Sequence, residues 1–440
     1  SYDAEHAGLI SRVAECEAAI ASASAQVERL KTEIDDCILR TYCNGRIQAR
    51  LAEPGEVLPA GGKVLTVIDM GDMYMNIFLP EKTAGMVAIG ALTPAQSFAA
   101  VDHDTILLLF SMMLLTVYLD RAGFFDASAA LLLGLCRTPW QLLATISLLA
   151  AVLSAVLVND TVCVFLTPLV VATCRRTGLP LGPYLIAVAT SANIGSACTL
   201  VGNPQNMIIG SLSGLPFLHF FARALPATLA GLLVNLGLLW LYYGRRLPHT
   251  PLDRPALPAH FHGRRLLFKS LVLVGVVGGF IAGLHMGYVG LAGVLVLVLA
   301  DRRDTREAFS RVDWPLLIFF CGLFIVVGGF ATTGLAEQTW RAAAPGMDLR
   351  TASGTLLFSA LMVAGSNIVS NVPLVMLTGP PLAELGGGSG AWILLAYTTT
   401  VAGNLTLLGS VANLIVAEQA RPHYSLGFRE YLKFGLRSEE

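Results

Sequence analysis

Asn, Asp, Thr, Ser and Gly recur between Val158 and Gly210 within otherwise apolar sequence, as VNDTVCVFLTP and then TSANIGSACTLVGNPQNMIIG. Side chains of this kind coordinate cations through oxygen and exchange hydrogen bonds with hydroxyls or anions. They do not make a nucleophile and base, and no Ser/His or paired-carboxylate set accompanies them at depth. From Thr177 to Ala222 there is no Asp, Glu, Lys or Arg. That places the segment at bilayer depth, where unpaired amides and hydroxyls are costly and are kept when they bind something. The chemistry expected is reversible binding of a polar solute.

Two tips carry the polar residues that a helix end can use, Asn159-Asp160-Thr161 and Ser370-Asn371-Val372-Pro373. Helix N-termini offer amide hydrogens to an anion, and carbonyls at a broken helix coordinate a cation. Asn193, Ser196, Thr199, Asn203 and Asn206 would line the facing wall from the first half of the chain, and Asn404, Thr406, Ser410 and Asn413 from the second. Gly195, Gly202, Gly403 and Gly409 allow close backbone approach. For each amide alone, the blander alternative is an interhelical hydrogen bond worth about 1 kcal/mol in a membrane. Asp160 is the one ionisable residue deep in these motifs, a candidate for coupling to H+ or Na+; the alternative is a carboxylate capping its own helix. Cys163 and Cys198 lie beside the motifs as possible thiol ligands or as small core filler. His103, His219 and His285 fall at segment edges.

The elements that must hold these residues are membrane helices. The chain is 55% hydrophobic and 13% charged, where a soluble chain carries roughly a quarter charged residues, and its mean hydropathy is +0.66. A net charge of -1 argues against a nucleic-acid surface. Eight scattered Cys, with no CxxC pair, form neither a disulfide framework nor a zinc site. Trp140 to Val158, Leu225 to Tyr243, Leu266 to Leu284 and Pro315 to Ala331 are long enough to span, since about 20 residues cross the hydrocarbon core. Val162 to Cys174 and Val372 to Leu385 are shorter and flank polar tips, as re-entrant hairpins and broken helices do.

One unit is used twice. SFAAVDHDTILLLFSMMLLTVYLDRAGF aligns with AFSRVDWPLLIFFCGLFIVVGGFATTGL, pairing Asp102 with Asp313 and Gly123 with Gly334. At the same offset Asn159 falls on Ser370 and Asp160 on Asn371. Past a slightly shorter loop, TLVGNPQNMI falls on TLLGSVANLI, pairing Thr199 with Thr406, Gly202 with Gly409 and Asn206 with Asn413. The expectation is an all-α polytopic membrane protein of two inverted repeats, residues 97–243 and 266–440, joined by an Arg- and Pro-rich linker, 244–265. Arg245, Arg246, Arg254, Arg264 and Arg265 put that linker in the cytoplasm, with Arg302, Arg303, Arg306 and Arg311 on the same side. The turn at Leu284 to Gly287 and the segment before Val101 then face the periplasm.

Residues 1–92 differ in kind. Val13, Ile20, Val27 and Ile34 fall seven apart, a coiled-coil seam that needs a second helix to bury it. EPGEVLPAGGKVLTVID and DMYMNIFLPEKTAGMVAIG follow, with PG and GG as turn signals. Residues 5–92 resemble the returning arm, half lipoyl-like domain and first barrel strand of membrane-fusion (periplasmic adaptor) proteins, an α+β fragment. Thr41, Tyr42, Cys43 and Asn44-Gly45 stand where that family shows Ala-Pro and Asp-Gly, and Lys63 reads as a solvated turn lysine. Because the chain starts on Ser with no signal segment, it reads as a piece of a longer or processed protein.

VNDTVCVFLTPLV, ATSANIGSACTLVGNPQNMIIG, SNIVSNVPLVMLTGP and AGNLTLLGSVANLIV resemble the ion transporter superfamily of citrate and divalent-anion carriers, arsenite pumps and sodium/proton antiporters, closest to its bacterial anion transporters. The resemblance runs from about residue 97 to the C-terminus. It implies a scaffold, a mobile transport subdomain carrying both hairpins, homodimers, elevator-type alternating access and a bacterial inner-membrane location. Val372 replaces the hydroxyl residue of Ser-Asn-Thr versions of the tip motif. Leu266 to Ala300 has no counterpart in the first repeat, and Leu225 to Tyr243 has none after Leu436, as in a fusion or a joining of neighbouring genes. The implied activity is secondary transport of a small anion of the citrate, inorganic-anion or arsenite class. No cofactor is expected beyond a coupling H+ or Na+, the sodium at the hairpin tips. The alternative is an adaptor or assembly subunit of an efflux system, with an efflux partner for the N-terminal fragment.

Overall fold

The computed structural model describes residues 17, 20–22, 24–29, 31, 45–50, 65–69, 92–134, 136–244, 246–248, 263–301, 305–384 and 388–436. The chain divides into two compact units, Ser1–Asn76 and Ile77–Glu440. In the first, the described residues from 17 to 31 are helical. Strands β1 (Gly45–Arg50) and β2 (Leu65–Asp69) pair antiparallel, Gly45 opposite Asp69 and Arg50 opposite Leu65, with an irregularity between Ile47 and Ala49. Most of the seam, the Thr41–Asn44 departure, Lys63 and the expected barrel strand lie outside the described residues.

The second unit is helical among its described residues. Its first series comprises α1 (Pro94–Ala100), α2 (His103–Asp120), α3 (Phe124–Leu133), α4 (Pro139–Val156), α5 (Asn159–Thr177), α6 (Leu181–Ser196) and α7 (Pro204–Ser213). Next come α8 (Phe217–Leu239), continued by a π turn to Gly244, then α9 (Gly263–Ile281) and α10 (Met286–Ala300). The series then recurs as α11 (Thr305–Ser310), α12 (Trp314–Ala331), α13 (Leu335–Ala343), α14 (Ala352–Val369), α15 (Asn371–Glu384), α16 (Ser389–Ala402) and α17 (Val411–Ala420), and α18 (Phe428–Leu436) follows. Two local devices fall at matching places in both series. Asp102 caps α2 by accepting from the Thr105 amide, and Asp313 caps α12 by accepting from Leu316, each satisfying an otherwise unpaired donor. Gly123 and Gly334, which end the turns after these helices, have φ of 79° and 69°, a region that residues with a Cβ avoid.

Among the described residues, five helices are long and apolar enough to cross a membrane: His103–Asp120, Pro139–Val156, Phe217–Gly244, Trp314–Ala331 and Ala352–Val369. The third begins well before the expected Leu225, because Pro226 lies inside α8 rather than at its start. The expected short run from Val162 to Cys174 becomes the 19-residue α5, about 28 Å long, since the helix takes in the polar tip at one end and Arg175-Arg176 at the other. Its counterpart α15 stays at 14 residues and contains Pro380 and Pro381. Helices α7 and α17 have 10 residues each, about half the thickness of the hydrocarbon core.

Helix α6 forms the centre and is buried at every residue from Gly182 to Ser196. A helix apolar all round demands such a position. It lies against α4, where a Cβ on Gly195 would overlap the backbone of Ala151. Around this centre α5 packs on α17, and α15 packs on α7. Large apolar side chains such as Leu233 on α8 and Val274 on α9 point outward, 70% and 65% exposed, as a lipid-facing surface does. The chain end of α18 is held by Phe434 stacked on Tyr243, and the Tyr424 hydroxyl donates to Glu430 at 2.7 Å.

Candidate functional site

Both series break their sixth helix and restart it as a short seventh, and the polar residues gather at the breaks. In the first, residues 197–203 connect α6 to α7. Asn203 caps α7 by accepting from the Asn206 amide at 2.8 Å. The Asn206 side chain reaches back, donating to the carbonyls of Ser196 at 3.2 Å and Thr199 at 2.9 Å. In the second, Asn413 donates to the carbonyls of Gly403 at 2.6 Å and Thr406 at 3.1 Å. The two asparagines that the repeat alignment pairs therefore brace their breaks through aligned carbonyls. Gly202 and Gly403 permit the tight folding of these loops: a Cβ on Gly202 would overlap Ser196, and one on Gly403 would press on Ser410. Gly409 lies against Gly403 and the side chain of Asn367.

The breaks are also joined to each other. The Asn203 amide donates to the Thr400 hydroxyl at 3.3 Å, and the Ser410 hydroxyl donates to Asn193 Oδ1 at 3.0 Å. Asn203 aligns with Ser410 and Asn193 with Thr400, so these are one contact made twice, in opposite senses. Asn193 is the hub. Its amide donates to Asn404 at 2.9 Å and Asn413 at 3.0 Å, and its carbonyl oxygen accepts from Ser410 and from Asn159 at 3.2 Å. Two donors and two lone pairs are thereby used in full. Asn404 also donates to the carbonyl of Thr190, and the Ser196 hydroxyl donates to the carbonyl of Asn193 while accepting from Asn203.

The first tip meets this cluster directly. The Asn159 backbone amide donates to the carbonyl of Gly202 at 2.8 Å. Val158 supplies no side-chain cap to α5, and Asp160, in the first turn, is 5% exposed. Among the described residues no Lys, Arg or His forms an ion pair with Asp160, and Thr161 beside it is half-buried. The second tip is built differently. Ser370 has a φ of 72°, its hydroxyl donates to Asn371 Oδ1, and that oxygen also accepts from the Val372 amide. Asn371 thus caps its own helix while Asn159 points at the hub.

Protein hydrogen bonds engage some of these polar atoms and leave others without a partner. The amides of Asn193, Asn203, Asn404 and Asn413 are engaged with protein partners, and Thr199 donates to the carbonyl of Ala155 at 2.6 Å. The Thr406 hydroxyl donates to Asn367. Asn159 Oδ1, Asn206 Oδ1, Ser154 Oγ and Thr167 Oγ1 are buried without a partner. These atoms and the Asp160 carboxylate are all oxygens, the atom type that binds a cation or accepts from a hydroxyl. Cys163 and Cys198 are buried, and among the described residues no three His, Cys, Asp or Glu side chains group as a metal site. Three polar residues escaped the sequence reading: Thr400, Gln205, whose amide donates to Thr400, and Asn367, which donates to the carbonyls of Val363 and Ala402. Their aligned partners are Asn193, Ala412 and Val156, so no like-for-like pair marked them.

A twofold series of apolar helices with interrupted, polar-tipped members defines a polytopic membrane transporter. The citrate transporter family (CitMHS) matches residues 78–402, and the chain belongs to it. It is 32% identical to "Putative transporter arsB" of Dictyostelium discoideum over 80% of this chain and 83% of that protein. It is 34% identical to "Silicon efflux transporter LSI3" of Oryza sativa subsp. japonica over 82% of this chain and 90% of that one. These relatives are membrane transporters rather than enzymes. The fold is similar to the crystal structure of the Alcanivorax borkumensis YdaH transporter, with a TM-score of 0.52 at 15% identity over 82% of this chain and 86% of that one. The adaptor resemblance of residues 5–92 rests on its sequence alone.

Proposed function

We propose that the chain is a secondary active transporter of a small oxyacid or anion, with inverted repeats, alternating access and coupling to H+ or Na+ through Asp160. The carrying observation is the reciprocal contact of the two breaks, Asn203 with Thr400 and Ser410 with Asn193. Sites of this architecture lie between the repeats near the midplane. Asp160, at the tip beside Asn159, adds a carboxylate with no cationic partner among the described residues, a position that favours binding a proton or a cation.

Within the classes of citrate, inorganic anion and arsenite, the atoms present favour an inorganic weak acid carried with its hydroxyls protonated. The free groups are oxygens, and residues 177–222 and 388–417 contain no Lys or Arg to pair with a polyanion such as citrate. The silicon efflux relative fits this end of the range. We place the protein in a bacterial inner membrane as a homodimer, with the linker 244–265 cytoplasmic. The test is flux of arsenite and of citrate in oriented vesicles under imposed proton or sodium gradients. Gradient-driven flux that Asp160→Asn uncouples is the expected result. Asp160→Asn transport with its full gradient dependence would remove the coupling role. No flux in the wild type, with co-purification of an outer-membrane channel, would favour the adaptor alternative.

A further inference from the structure

A cleft of about 370 Å³ opens between α2, the α7–α8 turn and the α9–α10 turn, large enough for a small molecule. Its inner wall is α7, through Met207, Gly210 and Ser211. The first turn of that helix carries Asn203 and Asn206, so Met207 separates the cleft from the brace of the break by one residue. Met207 is 1% exposed, and a Cβ on Gly210 would lie 3.3 Å from the terminal methyl of Met286. Two flexible thioethers, Met207 and Met286, therefore line the cleft beside α7, and such side chains move aside at low cost. At the outer end His285 Nε2 lies 3.3 Å from Asp104 Oδ2, linking the α9–α10 turn to α2, with both side chains well exposed. Gly214 and Gly283, also on the wall, have open space where a Cβ would point, which leaves bare backbone facing the opening.

Neither the family match nor the polar cluster assigns a role to this cleft. Resting on the transporter reading above, we propose that it is the access vestibule from the side opposite the Arg-bearing linker. The solute would pass between Met207 and Met286 to reach the break at Asn203 and Asn206. Asp104 and His285 form its mouth and first binding contact. Asp104 offers acceptors to the hydroxyls of a weak acid and repels a polyanion, so the pair filters by charge before the solute reaches the uncharged interior.

The test uses the full chain in vesicles of known orientation, with Ser211→Cys treated from the outer side by a membrane-impermeant methanethiosulfonate reagent and arsenite flux as the readout. Full modification is expected to reduce flux by at least about fivefold relative to the treated wild type, since it blocks the route, and excess arsenite is expected to slow the modification. Asp104→Asn is expected to shift selectivity towards citrate. Unchanged flux after full modification, or no modification from the outer side, overturns the vestibule while leaving the transporter reading standing. A wild type that moves neither arsenite nor citrate sinks both.

Discussion

At the scale of single residues, Asn193 and Asp160 have opposite relations to their surroundings. Every hydrogen-bonding position of Asn193 is used, by four residues: Asn159, Asn404, Ser410 and Asn413. Asn193→Ala should therefore cost more stability than Asn159→Ala, which removes one side-chain bond. At about 0.6–1.7 kcal/mol per membrane hydrogen bond, the two melting temperatures in detergent should separate clearly, with Asn193→Ala the lower. Glycines allow a sharper contrast. Gly195→Ala and Gly202→Ala drive a methyl into backbone and should lose about 1–3 kcal/mol or fail to fold. Gly237→Ala, in the last turn of α8 just before the π turn and with nothing near its Cβ position, should gain about 0.5–1 kcal/mol. A denaturation series on the three variants checks this order. Tyr431 adds a case in which loss of a polar atom should help: its hydroxyl is buried and unpartnered, so Tyr431→Phe should be neutral or stabilising within about 1 kcal/mol.

At the scale of elements, the two breaks are braced alike, and their asparagines differ by one bond. Asn206→Ala and Asn413→Ala each strip two backbone carbonyls of their donor in the same relative place. Each should cost about 1–3 kcal/mol, with Asn413→Ala the larger because Asn413 Oδ1 also accepts from Asn193 while Asn206 Oδ1 has no partner; unfolding shifts in the reverse order would show that this extra bond carries no load. This equivalence was legible in the sequence because the residue types were kept: Asn206 on Asn413, Gly202 on Gly409 and Asp102 on Asp313. Where the types diverged it was not. Thr400 stands in the place of Asn193, and a hydroxyl answering an amide gives no repeated letter. Helix ends were hidden for another reason. The hydropathy of α5 falls at Asn159-Asp160 and at Arg175-Arg176, yet those residues are helical, because a helix start tolerates polar side chains and a helix end favours cations. The split between bracing amides and free oxygens was likewise out of reach, since it depends on which atoms meet across the breaks. From the sequence, every amide could either line the site or bond between helices.

At the scale of the whole molecule, α8, α9 and α10 stand outside the repeated series, and α18 follows the second series where α8 follows the first. Helices α9 and α10 supply the outer turn whose His285 reaches α2 of the first series, so the unrepeated helices tie to the repeated ones at the cleft mouth. Lys269 of α9, bonded to Asp301 at 3.1 Å and lying over the Tyr118 ring, ties them again at the other end of α2. The linker 244–265 carries the Arg cluster of the chain. Cysteines placed there should label only from the cytoplasmic side, and one at Gly283 only from the other. Labelling of both from the same side would rule out the assigned orientation.

The paired contact of Asn203 with Thr400 and Ser410 with Asn193 has the form of an interface between two copies of one chain, in which position i touches position j and position j touches i. The surface between the halves is in that sense an internalised dimer interface, with the covalent linker serving proximity rather than recognition. Severing the chain within that linker and co-expressing 1–248 with 263–440 should therefore yield halves that find each other in the membrane and co-purify. Loss of that association in the Asn193→Ala half would identify the reciprocal amides as its recognition code.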